Sequence, residues 1–327
     1  MKSAEIEQLN EGYRRTFLGS KNPVKLPVLN PNQKKDLVKY GGNKYVLDYI
    51  HYSVVMSKMR RFAYFSAVNI DGTKWVDNKR NGTWKRDIRI KEQYGRELYT
   101  ADRSDFDKGH LVKREDPEWG DKTTAVNAGE NTFIYTNCVP QHKKLNQEIW
   151  EELENNILHK GAVSNKLKIS VFTGPVLSEN DGVFVTMVNN EEVKIPNLFW
   201  KIITWVKSDG RTYAVGFVQS QEKYLVDDGL IKKQPIPSKA GIRTTGNDDF
   251  FEHIKFRDGN TYQVRIEDIE GLTGLKFDWP AVIKPYTKEA PSLISAKKTA
   301  LRNNIPQLRR GMSRRMSRLE LDGLQLK

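Results

Sequence analysis

Apolar and polar positions along this chain follow two rhythms, one of strands and one of helices. Residues 45–55 and 62–68 are rich in β-branched and aromatic side chains and read as strands, the second closed by the turn-like Asn69-Ile70-Asp71-Gly72. Similar runs predict strands at 83–90, 132–137, 166–172, 182–188, 197–207, 212–218 and 261–265. Ile6, Leu9, Tyr13 and Phe17 recur at three and four residues, which predicts a helix over 3–19. Leu145, Ile149, Leu153 and Ile157 recur at four, which predicts a helix over 144–159 with one buried stripe. A short helix is expected over 266–272. Together these elements predict an α+β fold, with a mixed or antiparallel central sheet flanked by helices.

Polar breaks organise the rest. Residues 21–43 form a Pro- and Lys-rich connector, and Pro235, Pro237, Gly241 and Gly246 mark a loop-rich interruption. The expected division is an N-terminal extension over 1–44, a main domain over 45–280 and a basic tail over 281–327. The formal net charge of +13 favours a polyanionic partner through phosphate neutralisation. Much of it lies in 296–327, where nine lysines and arginines face only Glu320 and Asp322. There Leu308, Met312, Met316 and Leu319 have the spacing of a cationic amphipathic helix, suited to nucleic acid or to assembly with a second copy. Cys138 is the single cysteine, so no intramolecular disulfide forms, and its apolar neighbours Ile134, Tyr135 and Val139 suggest a buried strand thiol. The first residues lack the apolar run of a signal peptide, and no stretch approaches the ~18 apolar residues of a membrane span. A cytoplasmic protein is therefore expected.

The chemistry concentrates in Ser104-Asp105-Phe106-Asp107-Lys108-Gly109-His110, in Asn137-Cys138-Val139-Pro140-Gln141 and in Leu145-Asn146-Gln147. His110 can serve as a general base near neutral pH, and Gly109 is expected to turn the backbone tightly just before it. His51, His142, His159 and His253 lack that setting, although His142 lies close in sequence to Asn146. An Asn carbonyl is a neutral oxygen ligand for a hard cation that keeps most of its waters. Asn146 can equally cap the helix it opens.

These segments resemble the non-specific DNA/RNA endonucleases with a ββα-metal active site. That family carries Asp-Arg-Gly-His, a strand ending in Asn-x-x-Pro-Gln, and a helix opening Leu-Asn-Gln. The matches are Asp107, Gly109 and His110, then Asn137, Pro140 and Gln141, then Leu145, Asn146 and Gln147, with Trp150 and Glu154 on the family's later Trp and Glu. Arg80 opens a segment similar to the family's phosphate-binding arginine segment, with Arg86 or Arg89 as the fallback. The resemblance covers roughly 45–280, including the late stretch from Ile266 to Leu275. One departure is plain: Lys108 stands where the family has arginine, so the charge survives without the bidentate fork.

The resemblance implies a ββα-metal nuclease fold and a Mg²⁺-dependent endonuclease acting on DNA, RNA or both, with Mn²⁺ as a substitute ion and 5′-phosphate products. His110 would be the base, Asn146 the metal ligand, Arg80 and Lys108 the phosphate-facing cations. Asn137 and Glu154 would arrange the ion's waters. Asn146 and Glu154 are eight residues apart, about 12 Å along a straight helix, so both cannot bind one ion directly. From spacing alone, Glu148, Glu151 and Glu152 are equally suited to solvated surface roles. A rival expectation is a catalytically silent nucleic-acid-binding or interaction protein in which Lys108 marks lost activity. A nuclease of low selectivity inside a cell also calls for an inhibitor or activating partner, with defence or toxin action as an extension of that thought.

Overall fold

The apolar runs assemble into an antiparallel sheet covered on both faces. The computed structural model describes residues 11–21, 23–232, 261–279 and 281–282. Its strands are β1 (Val46–Asp48), β2 (Tyr52–Met56), β3 (Ala63–Asp71), β4 (Phe106–His110), β5 (Cys138–His142), β6 (Lys168–Val176), β7 (Val183–Phe184), β8 (Leu198–Val206), β9 (Thr212–Ser220), β10 (Ile231–Lys232) and β11 (Tyr262–Val264). Seven strands join in the order β1-β2-β3-β6-β8-β9-β11, every neighbouring pair antiparallel. β4 with β5, and β7 with β10, form separate two-stranded ribbons. The α+β expectation holds, with the antiparallel alternative realised.

Strand alternation sorts the side chains into two cores. Phe199, Ile203 and Trp205 of β8 share one with Ile169 and Val171 of β6. Trp200 and Ile202 share the other with Phe172. The first core is closed by a helix over 145–163 through Leu145, Trp150, Leu153 and Ile157. The second is closed by Val24, Leu29 and Leu37 from one end of the chain and Ile266, Ile269, Phe277 and Trp279 from the other. Those ends are laced together: Val28 and Lys276 exchange backbone hydrogen bonds at 2.8 Å, and the Gln33 amide donates to the Thr273 carbonyl at 2.8 Å.

Several local expectations are corrected. Of the helix predicted over 3–19, residues 1–10 lie outside the described part, and 11–19 form turns instead. Gly12 takes a positive φ of 66°, its N–H bonds the Tyr49 carbonyl at 3.0 Å, and the Tyr13 N–H bonds Ser53 Oγ at 2.8 Å. Backbone groups a helix needs internally are thus engaged with the sheet. The run 45–55 splits into β1 and β2 at a turn where His51 has φ 66°. Residues 83–90 form no strand and touch Ile134 by the single bridge at Lys85. Residues 132–137 end in a tight 3-10 turn, Tyr135–Asn137, with the strand beginning only at Cys138. β4 lies in what the pattern left irregular. The helix Lys122–Asn131 was hidden because it buries only Ala125, Ala128 and Gly129. The 235–246 loops, His253 and the basic tail beyond residue 282 lie outside the described residues.

One charge is built into the first core. Lys201, mid-β8, is 1% exposed and shares the face of Phe199 and Ile203. Its ammonium donates to Glu154 Oε1 at 3.3 Å and Thr173 Oγ1 at 3.0 Å, and it sits 4.7 Å from the centre of the Trp150 ring. Removing one member of a buried pair leaves the other uncompensated. Lys201→Met is expected to lower the unfolding free energy by about 3–5 kcal/mol, with Lys201→Met/Glu154→Gln recovering most of it. Urea denaturation of the two variants checks this.

Candidate active site

The site is a two-stranded ribbon followed by a helix. β4 and β5 pair so that Asp107 faces Gln141, Lys108 faces Pro140, Gly109 faces Val139 and His110 faces Cys138. Pro140 removes one donor from the ladder, as a strand of a two-stranded ribbon tolerates. Gly109 is not the tight turn expected from sequence. It is a strand residue over which the Gln141 side chain lies, and a Cβ there would come within 2.1 Å of Gln141 Oε1. The glycine provides close approach across the ribbon.

Asp107 connects ribbon to helix. Its Oδ2 accepts from Asn146 Nδ2 at 3.0 Å and from Gln147 Nε2 at 2.8 Å. Asn146 therefore does not cap the helix, which begins at Leu145 without a side-chain cap. The turns over Leu145–Trp150 and Asn156–Val163 are wide π-type turns flanking an α-helical centre, Glu151–Asn155. Such turns recur at functional sites.

His110 is half-buried, with its Nε2 enclosed and without a hydrogen-bond partner among the described residues. Its ring is held by aromatics: Trp84 at 4.6 Å between centroids and Phe133 edge-on at 5.1 Å. Burial first, then the positive charges of Arg80 and Arg114, push the imidazole down to about 3. At pH 7 this favours the neutral imidazole.

The cations divide into engaged and free. Arg80 is exposed, lies 5.6 Å over Phe133 and has no carboxylate partner among the described residues. Lys108 lies 5.6 Å over Tyr99, likewise without an acidic partner among the described residues. Arg86 is paired with Glu97 at 2.6 Å and Arg89 with Asp87 at 2.6 Å, so the two fallback arginines are engaged elsewhere. Arg114 is held by Glu118 and Glu115.

Asn137 is fully buried and braces the segment after His110. Its Oδ1 accepts from the Val112 N–H at 2.9 Å, while its Nδ2 donates to the carbonyls of Val112 at 3.0 Å and Thr132 at 3.2 Å. Glu154 faces Lys201 rather than solvent, and burial raises its pKa while Lys201 opposes the rise. His142 is buried, bonded to Asp228 at 2.8 Å and stacked on Tyr224, a packing role. The Cys138 thiol donates to the Tyr99 hydroxyl at 3.0 Å and burial pushes it up to about 12, so it is no nucleophile.

Three contributors were missed in the sequence: Asp107 as the anchor of Asn146, the aromatic cage of His110, and Lys201. Lys201 carried a usable signal, a lone cation inside Leu198-Phe199-Trp200-Lys201-Ile202-Ile203, which must find a partner once buried.

The residues present suit a hard cation with few protein ligands. The Asn146 amide nitrogen is engaged by Asp107, which leaves its carbonyl oxygen as the donor to an ion. Among the described residues no group of three His, Cys, Asp or Glu side chains forms a metal cage. A single neutral oxygen matches an ion such as Mg²⁺ that keeps several waters.

A histidine-bearing ribbon leading into a helix with Asn146 in its first turn is the ββα arrangement expected from the sequence. The profile of the DNA/RNA non-specific endonucleases matches residues 31–281, and the chain belongs to that family. It is 37% identical to the uncharacterized protein y4fB of Sinorhizobium fredii over 82% of this chain and 39% of that protein. Mitochondrial endonuclease G of Homo sapiens is 27% identical over 42% of this chain and 48% of its own length. The chain thus spans less than half the length of these relatives. A crystal structure of an EndoG/EndoGI complex, concerned with EndoG inhibition, aligns with a TM-score of 0.49 at 18% identity, over 75% of this chain and 89% of that one. Among the described residues no helix is long and apolar enough to cross a membrane.

Asp116, six residues beyond His110, is 4% exposed, and burial raises it to about 7. Its folded-state pKa exceeds the unfolded value, so its contribution to stability is complete in acid and is lost as pH rises through about 7. Asp116→Asn removes a buried ionisation. It is expected to raise the melting temperature at pH 8 and to change it little at pH 4, as thermal melts at both values will show.

Proposed function

We propose that this chain is a divalent-metal-dependent endonuclease that hydrolyses DNA or RNA phosphodiesters with little sequence selectivity. The observation that carries this is a ribbon bearing an enclosed His110 and a helix bearing Asn146, joined through Asp107, while Arg80 and Lys108 have no acidic partners among the described residues. His110 accepts a proton from the water that attacks phosphorus. Arg80 and Lys108 offset charge on the non-bridging oxygens. Asn146 would hold the ion, and Mg²⁺, with Mn²⁺ as substitute, would supply charge stabilisation for the departing 3′-oxygen. Products then carry 5′-phosphate ends.

The low basicity of His110 belongs to the substrate-free site. A phosphate drawn beside Arg80 cancels part of the positive field that depresses the imidazole, and so raises its basicity where the proton is taken. Asn137 acts through backbone geometry, holding the segment after His110. Glu154 completes the helix-to-sheet pair with Lys201, and with a metal bound it would act on the ion only through intervening water. Contacts fall on backbone phosphate, which carries no base information. A cytoplasmic setting and control by an inhibitor or activating partner accompany this reading.

His110→Ala is expected to slow cleavage of supercoiled plasmid by about 10²–10⁴-fold without loss of fold or nucleic-acid affinity. Wild-type cutting in EDTA, or wild-type rates in the variant, would refute the assignment. No cutting in Mg²⁺ or Mn²⁺ would favour the catalytically silent alternative.

Lys108→Arg is expected to keep or raise the rate, since arginine adds the fork that matches phosphate bidentately. Steady-state kinetics on plasmid and on RNA will check this and rank the two substrates.

A further inference from the structure

Ring contacts orient the imidazole of His110. Among the described residues Nε2 has no hydrogen-bond partner and is sealed from solvent. A histidine used as a base commonly has its other nitrogen fixed by a carboxylate or carbonyl, which sets ring angle and tautomer. Here ring contacts hold the ring. Trp84 meets the imidazole at 4.6 Å with a 43° tilt, Phe133 meets it edge-on at 5.1 Å, and the two aromatics contact each other at 5.5 Å. Trp84 is itself backed by Tyr135 at 5.7 Å, and Tyr135 by Tyr99 at 6.2 Å. The stack runs from the base to Tyr99, whose hydroxyl accepts from the thiol of Cys138 on β5.

The geometry points to Trp84 as the positioning residue of the proposed base: it fixes the His110 ring by contact and excludes the water that would otherwise solvate the imidazolium. This rests on the nuclease reading for its purpose, but not for its measurement. Trp84 is half-buried, on a segment with no regular structure, and its distinctive contacts are with this cluster. Phe133 has a second occupation, carrying Arg80 on its face. The charged groups that bear on the imidazole are Arg80, from Trp84's own segment, and Arg114, from the segment after β4. Both are cations and neither is removed by changing Trp84. Lys108, two residues before His110 on the same strand face, stays with Tyr99. Desolvation is therefore the contribution a Trp84 variant changes.

The test is an NMR titration of the His110 ring in metal-free protein, assigned with His110→Asn, for wild type, Trp84→Phe, Trp84→Leu and Trp84→Ala. In Trp84→Ala, water reaches the ring and the midpoint is expected to rise by more than about one pH unit, towards the ordinary histidine value. Trp84→Phe should stay within about half a unit of wild type, and its ring protons should keep the ring-current shift that Trp84→Ala loses. Plasmid cutting at pH 7 is expected to fall in kcat by about tenfold or more in Trp84→Ala through misorientation, with KM little changed and with rescue in Trp84→Phe. Should Trp84→Ala fail to fold by circular dichroism, Trp84→Leu, which keeps volume and removes the ring, is read in its place and must lose the ring-current shift and the kcat. A His110 midpoint and ring shift unchanged in the folded variant would overturn the inference. A wild-type protein that cuts nothing while its His110 responds to Trp84 as described would instead leave the positioning intact and remove the nuclease reading.

Discussion

Asp107 is the joint on which the site turns. The strand that carries His110 and the helix that carries Asn146 belong to different stretches of chain. A single carboxylate oxygen accepting from Asn146 and Gln147 ties one to the other. Two charge-assisted bonds to one oxygen restrict the helix start more than two neutral contacts could. They also select which end of the Asn146 amide is left over. The nitrogen is drawn to Asp107 and the oxygen remains, so the anchor determines both the position and the polarity of the Asn146 amide.

The core beneath the site depends on a different balance. Lys201 and Glu154 are both enclosed, and each is tolerable there only because of the other. Their bond crosses from sheet to helix, whereas the Leu145, Leu153 and Ile157 contacts are non-directional. Hydrophobic burial holds the helix against the sheet, and the ion pair selects one axial position along it. The wide turns at either end fit this view, since they let a helix reach two fixed points, Asp107 at its start and Lys201 at its centre.

What could be foreseen from the sequence followed from local periodicity. β6, β8 and β9 were legible because their apolar runs are long, and the 145–163 helix because its stripe recurs every four residues. His110, Asn146, Arg80 and Lys108 were singled out by their motifs and by the family resemblance, and the roles proposed for them rest on that. Aromatic residues misled where they serve a cluster instead of a ladder: Phe133, Ile134 and Tyr135 resemble a strand, yet two of them line the surroundings of Trp84. The segment 83–90 misled for the same reason. Asp107 and Lys201 act across about forty residues or more of sequence, a separation at which pattern carries no information. The N-terminal turns were read as a helix because Tyr13 and Phe17 have helical spacing, while the backbone bonds that divert them come from the distant hairpin between β1 and β2.

The lacing of Val28 to Lys276 and of Gln33 to Thr273 has a consequence for the order of events during synthesis. Phe65, Phe172, Trp200 and Ile202 all lie on the face that these two ends close, and half of that closure is the last described part of the chain to be made. Contacts of such long sequence separation form late and slowly. A nascent chain that has already completed the ribbon and its helix therefore still exposes an apolar sheet face, and it has not reached its final stability. The topology itself thus delays full assembly until nearly all of the described domain has emerged from the ribosome, which would suit the activity proposed for it.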